Sequence, residues 1–414
     1  MRIVHVSDTF APIMGGIETQ VARLATQQAL QGHEVIVLTA AMREPARGMP
    51  RSVSSGVGTL GITGTEVELP EGLTVDPADS LPYTVIRSEW QNPFGAPVDP
   101  HAPKRFVELI GLLGPDAVHA HLGELTPVAT AVLASLNDTP VPVVATVHSI
   151  WSKFPTIPLY RGAALMTGLA EAPVLWLPNS ELTASRVREV VNPDLVRVLN
   201  NSVAPEDWRV QPVVHDGLVA VTATRFAPRK RVPELLEILR EVGLRLGLNN
   251  AAEGAAKSPS PLRAVIAGEG PGLERAAHFL TKHGMEHWVE LPGRLSRDQL
   301  VELYATSDIY LSPSIKDAFS ISGLEARAAG LAILARSQSG FGAAVLDGVE
   351  GRSVPTDEQM VRVLVDWVRD EVEVRNYQQH NQSVEIPYSW KNALPAYEAA
   401  YEEAAALKKE RRGR

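Results

Sequence analysis

Two carboxylates, Asp317 and Glu325, stand where a loop leads into a helix. The pattern predicts a short buried strand over 308–312, a loop over 313–322 and a helix over 323–330 ended by glycine. The loop would then follow the carboxyl end of a strand, where open α/β sheets bind ligands, beside the free N–H groups of a helix start. In that place Asp317 is suited to sugar hydroxyls and Glu325 to a vicinal diol such as a ribose. The spacing alone fits a capped helix on a surface loop equally well.

Two basic residues, Arg225 and Lys230, follow the first strand of the second half of the chain. If a sugar nucleotide binds, the departing diphosphate needs a metal or fixed positive charge to stabilise it. The chain has no Asp-x-Asp metal-diphosphate motif, whereas an arginine forks onto phosphate oxygens and a lysine adds a point charge. The alternative is that both are solvated, although the helix dipole disfavours cations near a helix start.

Glycine pairs mark two strand-to-helix turns at which a backbone can approach a phosphate closely. Gly15-Gly16 follows the first strand, and Gly268-Glu-Gly270 follows a strand in the second half. The first of these turns does not read Gly-x-Gly-x-x-Gly, which argues against a nicotinamide dehydrogenase.

Histidines cluster at the strands of the first half. His148 ends one strand, and His119-x-His121 places two imidazoles on one face of another. A metal site is conceivable there, but no carboxylate partner is evident, and a strand-end histidine is often satisfied by the backbone. Asp8, after the first strand, is suited either to contacting an acceptor or to capping its loop.

Two half-chains repeat an alternation of strands and helices, which predicts two doubly wound parallel sheets. The expected domains are 1–205, 206–385 and a helical return over 386–414. Residues 42–100 are expected to form hairpins and loops, and residues 243–261 a flexible insertion. The expected strands cover residues 2–7, 34–38, 117–121, 141–147, 174–177, 196–199, 218–224, 263–267, 288–291, 309–311 and 331–334.

Composition narrows the class of protein. With 414 residues and 45% hydrophobic content, the chain can bury sizeable cores. The net charge of −9 argues against nucleic-acid binding, and the absence of cysteine excludes disulfides and thiolate chemistry. No apolar run approaches a membrane span, so a cytoplasmic protein is expected. The basic run over 408–414 is expected to be a solvated tail, with contact to an anionic membrane as the alternative.

The order of these motifs resembles the GT-B glycosyltransferases, specifically the retaining family 4 that includes sucrose synthase and bacterial mannosyl- and glucosyltransferases. The resemblance spans nearly the whole chain and implies two Rossmann-like domains with parallel sheets facing across a cleft, and a C-terminal helix that returns to the first domain. The motifs that carry it are Gly15-Gly16-Ile-Glu18, Val147-His148, Arg225 with Lys230, Gly268-Glu-Gly270-Pro271, Gly293-Arg294 and the acidic segment from Asp317 to Glu325.

The resemblance also implies residue roles. Catalysis would involve His148 at the transferred sugar, Arg225 and Lys230 at the diphosphate, and Asp317 as a sugar ligand. The donor would further contact Gly15, Gly16, Gly268, Gly293, Arg294, Phe319, Ser320 and Glu325.

The implied reaction is transfer of a hexosyl unit from a UDP- or GDP-linked sugar to a glycan, lipid-linked or small-molecule hydroxyl, in cell-envelope glycan biosynthesis. Retention would follow front-face attack without an enzyme nucleophile, metal or other cofactor. The family's first acid is glutamate, here Asp317, and its Gly-Phe-Gly is here Ala318-Phe319-Ser320. These departures keep two alternatives open: a GT-B epimerase or phosphorylase, and a sugar-nucleotide-binding subunit that has lost catalysis.

The loop after His148 carries aromatic and basic residues, Trp151, Lys153 and Phe154. The aromatic rings are suited to stacking on an acceptor sugar or resting in a lipid interface, with peripheral attachment to the inner face of a membrane. The alternative is that both rings cover the core beneath the loop.

Overall fold

The computed structural model describes residues 1–13, 15–41, 59–62, 65–77, 81–88, 99–249 and 260–412. The chain divides into two compact units. Unit 1 comprises Met1–Asn201 together with Trp390–Arg414, and unit 2 comprises Ser202–Ser389.

Unit 1 is built on a seven-stranded sheet whose order is β5-β6-β2-β1-β7-β8-β9, parallel except for the β5–β6 pair. Its inner strands are almost continuous apolar runs, as expected of parallel strands covered on both faces. A separate antiparallel pair, β3 and β4, lies outside this sheet. The strands are β1 (Arg2–Ser7), β2 (Glu34–Thr39), β3 (Thr59–Ile62), β4 (Thr65–Glu68), β5 (Leu73–Val75), β6 (Thr84–Ser88), β7 (Ala117–Leu122), β8 (Val143–Val147) and β9 (Val174–Pro178).

In the described part of unit 1, five α-helices alternate with these strands. Apolar side chains of the helices and strands form a buried core that includes Phe106, Leu109 and Leu133. The helices are α1 (Gly16–Leu30), α2 (Ala102–Leu113), α3 (Pro127–Ser135), α4 (Thr156–Thr167) and α5 (Glu181–Val187).

Unit 2 contains a six-stranded parallel sheet of order β12-β11-β10-β13-β14-β15. Its strands are β10 (Leu218–Ala223), β11 (Leu262–Ala267), β12 (Val289–Gly293), β13 (Ile309–Ser312), β14 (Ala332–Arg336) and β15 (Gly351–Val354). Its helices are α6 (Val232–Leu246), α7 (Leu273–Lys282), α8 (Arg297–Ala305), α9 (Ile321–Ala328), α10 (Gly340–Ala344), α11 (Asp357–Arg369) and α12 (Val372–Ser383). The predicted α/β class with two Rossmann-like sheets is confirmed.

The last helix, α13 (Trp390–Arg412), packs on β8, β9 and α1 of unit 1. The expectation of a solvated tail is wrong at Lys408, which is buried in this helix. Its ammonium group donates to the carbonyl oxygens of Leu136, Asn137 and Thr139 at 2.8, 2.9 and 3.2 Å, just beyond the end of α3. Burial lowers the pKa of Lys408 to about 8.

Two further expectations about local structure are corrected. The segment 196–199 is not a strand: Arg197 and Leu199 donate backbone bonds to β9, but a single bridge at Val196 replaces a full ladder. Within 42–100, the described strands form two antiparallel pairs, β3–β4 and β5–β6, in keeping with the expected hairpins, but β6 also joins the main sheet in parallel beside β2, which was not expected. Residues 42–58, 63–64, 78–80 and 89–98, residues 250–259 of the expected insertion, and residues 413–414 of the expected tail lie outside the described residues.

Candidate functional site

The carboxyl edge of the unit 2 sheet gathers most of the expected donor residues. Arg225 follows β10, Gly268 follows β11, Arg294 follows β12, and Asp317 lies in the loop after β13. These four strands are neighbours in the sheet, in the order β12-β11-β10-β13. Parallel strands end at the same edge, so residues up to 92 positions apart in the sequence, from Arg225 to Asp317, are placed around one edge.

Lys230 and Asp317 form an ion pair at this edge, with Nζ of Lys230 2.7 Å from Oδ2 of Asp317. Both side chains are largely buried, so solvent screens their attraction less than it screens an exposed pair. Arg225, earlier in the same loop, is exposed. The two residues expected to hold the diphosphate and the sugar thus hold each other in this structure.

The loop that carries Asp317 is tied to the start of α9. The hydroxyl of Ser320 accepts from the N–H of Gly323 at 3.3 Å and caps the helix, which therefore begins at Ile321 rather than at Gly323. Phe319 is buried with its ring edge-on to Tyr388 at 5.0 Å between centroids. The side chains of Phe319 and Ser320 are thus turned into the protein, and only their main-chain groups are suited to a ligand.

Glu325 lies in the second turn of α9 and is half-buried. Its charge lies near Tyr304, which like Tyr310 is buried in unit 2. Burial first, and then the Glu325 charge, raise the pKa of Tyr304 well above its ordinary value. Burial likewise raises the pKa of Tyr310 to about 12, and its hydroxyl pairs with that of Ser322 at 2.7 Å. The tyrosines are therefore neutral and hold the first turn of α9 by hydrogen bonds.

Glycine is required where β10, β11 and β12 end together. Gly268 has φ of 141°, and a Cβ there would lie 1.8 Å from the carbonyl oxygen of Thr224. Its N–H donates to the carbonyl of Gly293 at 2.7 Å, and Gly293 also has a positive φ of 77°. Beyond them, exposed Arg294 and Glu269 pair at 3.4 Å. Any side chain at Gly268 would force the strand ends apart.

In unit 1, Gly15 and Gly16 occupy the predicted turn into α1. Gly15 is the extended N-cap residue and Gly16 begins the helix, with Glu18 in the first turn. The turn is therefore where the sequence predicts it, but Gly15 has an extended backbone that any residue adopts.

Asp8 is a helix cap. Its carboxylate oxygens accept from the N–H groups of Val128 and Ala129 at 2.9 and 2.8 Å, at the start of α3. It is almost fully buried, and burial raises the pKa of Asp8 to about 6 against the opposing effect of these hydrogen bonds. Of the two roles considered, the structure supports capping, although of a helix rather than of its own loop, and not acceptor contact.

Trp151 is not an acceptor platform. It is 0% exposed, stacks on Tyr160 at 4.4 Å with rings 7° apart, and donates its indole N–H to the carbonyl of Gly123 at 2.9 Å. The expected acceptor role is wrong because the ring belongs to the core under the loop. Phe154 on the same loop is 81% exposed.

His148, which follows β8 and is half-buried, begins a line of imidazoles that continues through buried His121 on β7 and buried His5 on β1. Its Nε2 lies 3.0 Å from Nδ1 of His121, and Nε2 of His121 lies 2.9 Å from Nδ1 of His5. On its other side, His5 Nε2 contacts the amide oxygen of Gln28 at 2.7 Å. Sequence reasoning singled out His121 and His148 but missed His5 and Gln28, although His5 stands within the buried apolar run of β1 and Gln28 lies on the buried face of α1.

Burial keeps these imidazoles neutral. It lowers the pKa of His5 and of His148 to about 4, opposed at His148 by the nearby Asn201 side chain. It lowers the pKa values of His119 and His121 well below the ordinary value. One nitrogen from each of His5, His119 and His121 lies within 4.8 Å of the others, a spacing that admits a metal ion.

Comparison with known families assigns both halves of the chain. Residues 205–383 match the family model described as Glycosyl transferases group 1, and residues 14–207 match that described as Glycosyltransferase Family 4. Among the described residues, no helix is long and apolar enough to cross a membrane.

Relatives agree with these matches. A phosphatidylinositol N-acetylglucosaminyltransferase subunit from Arabidopsis thaliana is 24% identical over 98% of this chain and 82% of its own, and a Mycobacterium tuberculosis glycogen synthase is 26% identical over 97% and 94%. Sucrose-phosphate synthase from Thermosynechococcus elongatus has a similar fold, with a TM-score of 0.71 and 14% identity over 98% of this chain and 100% of its own. Anabaena HepE in complex with UDP-glucose superposes with a TM-score of 0.68 and 16% identity over 98% and 100%. The chain therefore belongs to the GT-B glycosyltransferases of group 1 and family 4.

Proposed function

We propose that this glycosyltransferase moves a hexosyl unit from a UDP- or GDP-linked sugar to an acceptor hydroxyl, with retention of configuration. The observation that carries the proposal is the Lys230–Asp317 pair beside Arg225 at the carboxyl edge of the unit 2 sheet. When the donor binds, the ammonium group of Lys230 would pair with its diphosphate instead of with Asp317. The carboxylate of Asp317 would then accept hydrogen bonds from hydroxyl groups of the sugar. Both expected roles are thereby reconciled with the contact in this structure.

The remaining donor roles follow from position. Arg225 adds positive charge to the departing diphosphate, while Glu325 accepts from the ribose hydroxyls. Backbone groups at Gly268, Gly293 and Arg294 serve the phosphate and base, as do the main-chain groups of Phe319 and Ser320. In unit 1, Gly15 and Gly16 supply helix N–H groups to the diphosphate, and His148 contacts the transferred sugar.

The mechanism we propose uses no enzyme nucleophile and no metal. The acceptor hydroxyl attacks the anomeric carbon on the face from which the diphosphate leaves, and a phosphate oxygen receives the hydroxyl proton. The C–O bond to the diphosphate breaks as the new glycosidic bond forms. Arg225 and Lys230 stabilise the charge that grows on the leaving group.

A UDP sugar is the first donor to test, because Anabaena HepE has been solved with UDP and with UDP-glucose. The acceptor is proposed to be a glycan or a lipid. The relatives include both a glycogen synthase and a phosphatidylinositol N-acetylglucosaminyltransferase, which makes each acceptor class worth testing.

An exposed apolar stripe on α4 and its preceding loop favours the lipid acceptor. Leu159, Leu165 and Met166 are exposed along one face of α4, and Phe154 is exposed just before it. This spacing is that of a helix lying in a membrane interface, and Lys153 adds a positive charge. We therefore propose peripheral contact with the cytoplasmic face of a membrane.

The test is a thermal-shift screen of UDP, GDP and ADP sugars followed by turnover with glycan and lipid acceptors. Lys230→Ala should lower kcat by roughly 10²-fold or more, because a preorganised charge on the leaving group is lost. Arg229→Ala is the matched control, since Arg229 is an exposed basic neighbour.

Unchanged turnover in Lys230→Ala would refute the assignment. Nucleoside diphosphate release without an acceptor would point to an epimerase or phosphorylase. Tight donor binding without turnover over the whole acceptor panel would point to a binding subunit.

A further inference from the structure

Seven side chains of unit 1 are joined by an uninterrupted series of hydrogen bonds. Only the first of them, His148, has a role in the proposed reaction. We call this series the imidazole chain: His148, His121, His5, Gln28, Tyr401 and His119, ending on Thr146. Its histidines come from neighbouring strands, with His5 directly opposite His119 in the β1–β7 register. Three ring pairs stack with centroids 4.3 to 5.3 Å apart.

The second half of the imidazole chain starts at the amide nitrogen of Gln28. This nitrogen, Nε2, donates to the hydroxyl of Tyr401 at 2.7 Å. That hydroxyl lies 2.9 Å from Nδ1 of His119, and Nε2 of His119 lies 2.7 Å from the Thr146 hydroxyl. Every ring nitrogen of His5, His119 and His121 is therefore engaged with another side chain.

A neutral imidazole carries one hydrogen, so it donates through one nitrogen and accepts through the other. The amide oxygen of Gln28 only accepts, so Nε2 of His5 donates to it and Nδ1 of His5 must accept. Nε2 of His121 is then the donor to His5, and Nδ1 of His121 must accept. The donor to that nitrogen is Nε2 of His148.

The amide nitrogen of Gln28 fixes the donors and acceptors of the second half of the imidazole chain in the same way. Because Nε2 of Gln28 only donates, the Tyr401 oxygen accepts from it. The buried Tyr401 hydroxyl also needs an acceptor for its own hydrogen, and Nδ1 of His119, 2.9 Å away, is suited to accept it. Nε2 of His119 then donates to Thr146. Turning the Gln28 amide over would exchange every donor and acceptor along the chain.

We propose that the Gln28 amide sets one direction of hydrogen bonding through the imidazole chain, so that all four histidines carry their hydrogen on Nε2 and Nδ1 of His148 is a lone-pair acceptor. Gln28 is a positioning residue for His148, acting through His5 and His121. Hydrogen bonds linked in such a chain strengthen one another. Gln28 on α1 therefore helps to fix the orientation of the His148 ring.

This direction has a consequence that rests on the proposed function. Nδ1 of His148 is buried and has no hydrogen-bond partner of standard geometry among the described residues, although the Asn201 side chain lies near this ring. If His148 faces the transferred sugar, its Nδ1 can only accept, so a sugar hydroxyl that meets it must donate. A donor sugar lacking that hydroxyl would lose the bond and leave the nitrogen unpaired.

The test is ¹H–¹⁵N NMR of the full chain with ¹⁵N-labelled histidine at pH 7, which distinguishes Nε2–H, Nδ1–H and doubly protonated rings. The expected result is four Nε2–H tautomers. In Gln28→Met, the new side chain has no amide group to accept from His5 or to donate to Tyr401. His5, His121 and His148 should then show mixed tautomers. Gln27→Met, a change at the neighbouring position outside the chain, should leave the spectrum unchanged.

A second variant keeps the proposal testable if Gln28→Met does not fold. Tyr401→Phe removes the donor to His119, so changes should be confined to His119 while the other three rings keep Nε2–H. Hydrogen on Nδ1, a doubly protonated ring, or an unchanged spectrum in folded Gln28→Met would overturn the proposal. Stoichiometric zinc or another metal in the purified protein would overturn it in favour of a metal site. No substrate enters these measurements, so their outcome is independent of the proposed transfer reaction.

Discussion

Replacing Trp151 should lower the stability of the folded protein and should have no direct effect on acceptor binding. The ring is 0% exposed, stacks on Tyr160, meets Trp176 edge-on at 6.4 Å between centroids and donates to the carbonyl of Gly123. Truncating a buried tryptophan to alanine costs about 3–5 kcal/mol. For a domain of roughly 150–250 residues, each kcal/mol lowers Tm by about 2–4 °C. The expected loss for Trp151→Ala is therefore about 6–20 °C in the transition of unit 1.

A milder change separates packing from the indole hydrogen bond. Trp151→Phe keeps an aromatic ring against Tyr160 but leaves the Gly123 carbonyl without its donor, at a cost of roughly 1–3 kcal/mol. Phe154→Ala is the matched control on the same loop: its ring is 81% exposed, so stability should change by no more than about 0.5 kcal/mol.

The assay is calorimetry or thermal unfolding followed by near-ultraviolet circular dichroism, with KM for the acceptor measured below the transition. A normal Tm for Trp151→Ala together with a raised acceptor KM would refute the burial argument and restore the acceptor role.

Three further predictions concern Asp8, the diphosphate site and the membrane. The pKa of Asp8 is raised to about 6 from its ordinary value of 3.8, so the folded state holds its proton more tightly than the unfolded state. Stability should therefore fall by about 3 kcal/mol as pH rises from about 4 to beyond 6. Asp8→Asn should flatten that part of a stability-against-pH curve, and an unaltered slope would show that another group titrates. If Arg225 and Lys230 replace a cation, saturating EDTA should leave the transferase rate intact, whereas loss restored by magnesium or manganese would implicate a metal. Anionic liposomes should sediment the intact chain at low salt but less of a Phe154→Ser/Met166→Ser variant, and an intact chain that stays in the supernatant would favour a soluble acceptor.

Local patterns in the sequence were sufficient for the elements that frame the site. Continuous apolar runs predicted β1, β10 and β13 to within a residue at each end, because strands buried on both faces leave little choice of residue. Glycine turns after β1 and β11 were predicted from residue type alone. The prediction was weaker at 196–199, where alternating valines resemble a strand but only one bridge forms, since pairing depends on the neighbouring chain.

The environment of each side chain was decided by contacts distant in sequence. Trp151, Asp8 and Lys408 are residue types commonly found at binding surfaces, yet each is buried against partners far away in the sequence. These partners are Gly123 and Trp176 for Trp151, the start of α3 for Asp8 and the end of α3 for Lys408. Burial and partner identity are properties of packing between elements, which spacing along one element does not encode.

By itself, the sequence determined the α/β class, the order of motifs and the strand ends from which Arg225, Lys230 and Asp317 project. Only the tertiary structure decided that Lys230 and Asp317 pair, and that His5 and Gln28 join His148 in one chain of hydrogen bonds. The physical reason is that strand order and register set which side chains meet, and these arise from sheet assembly as a whole rather than from any one segment.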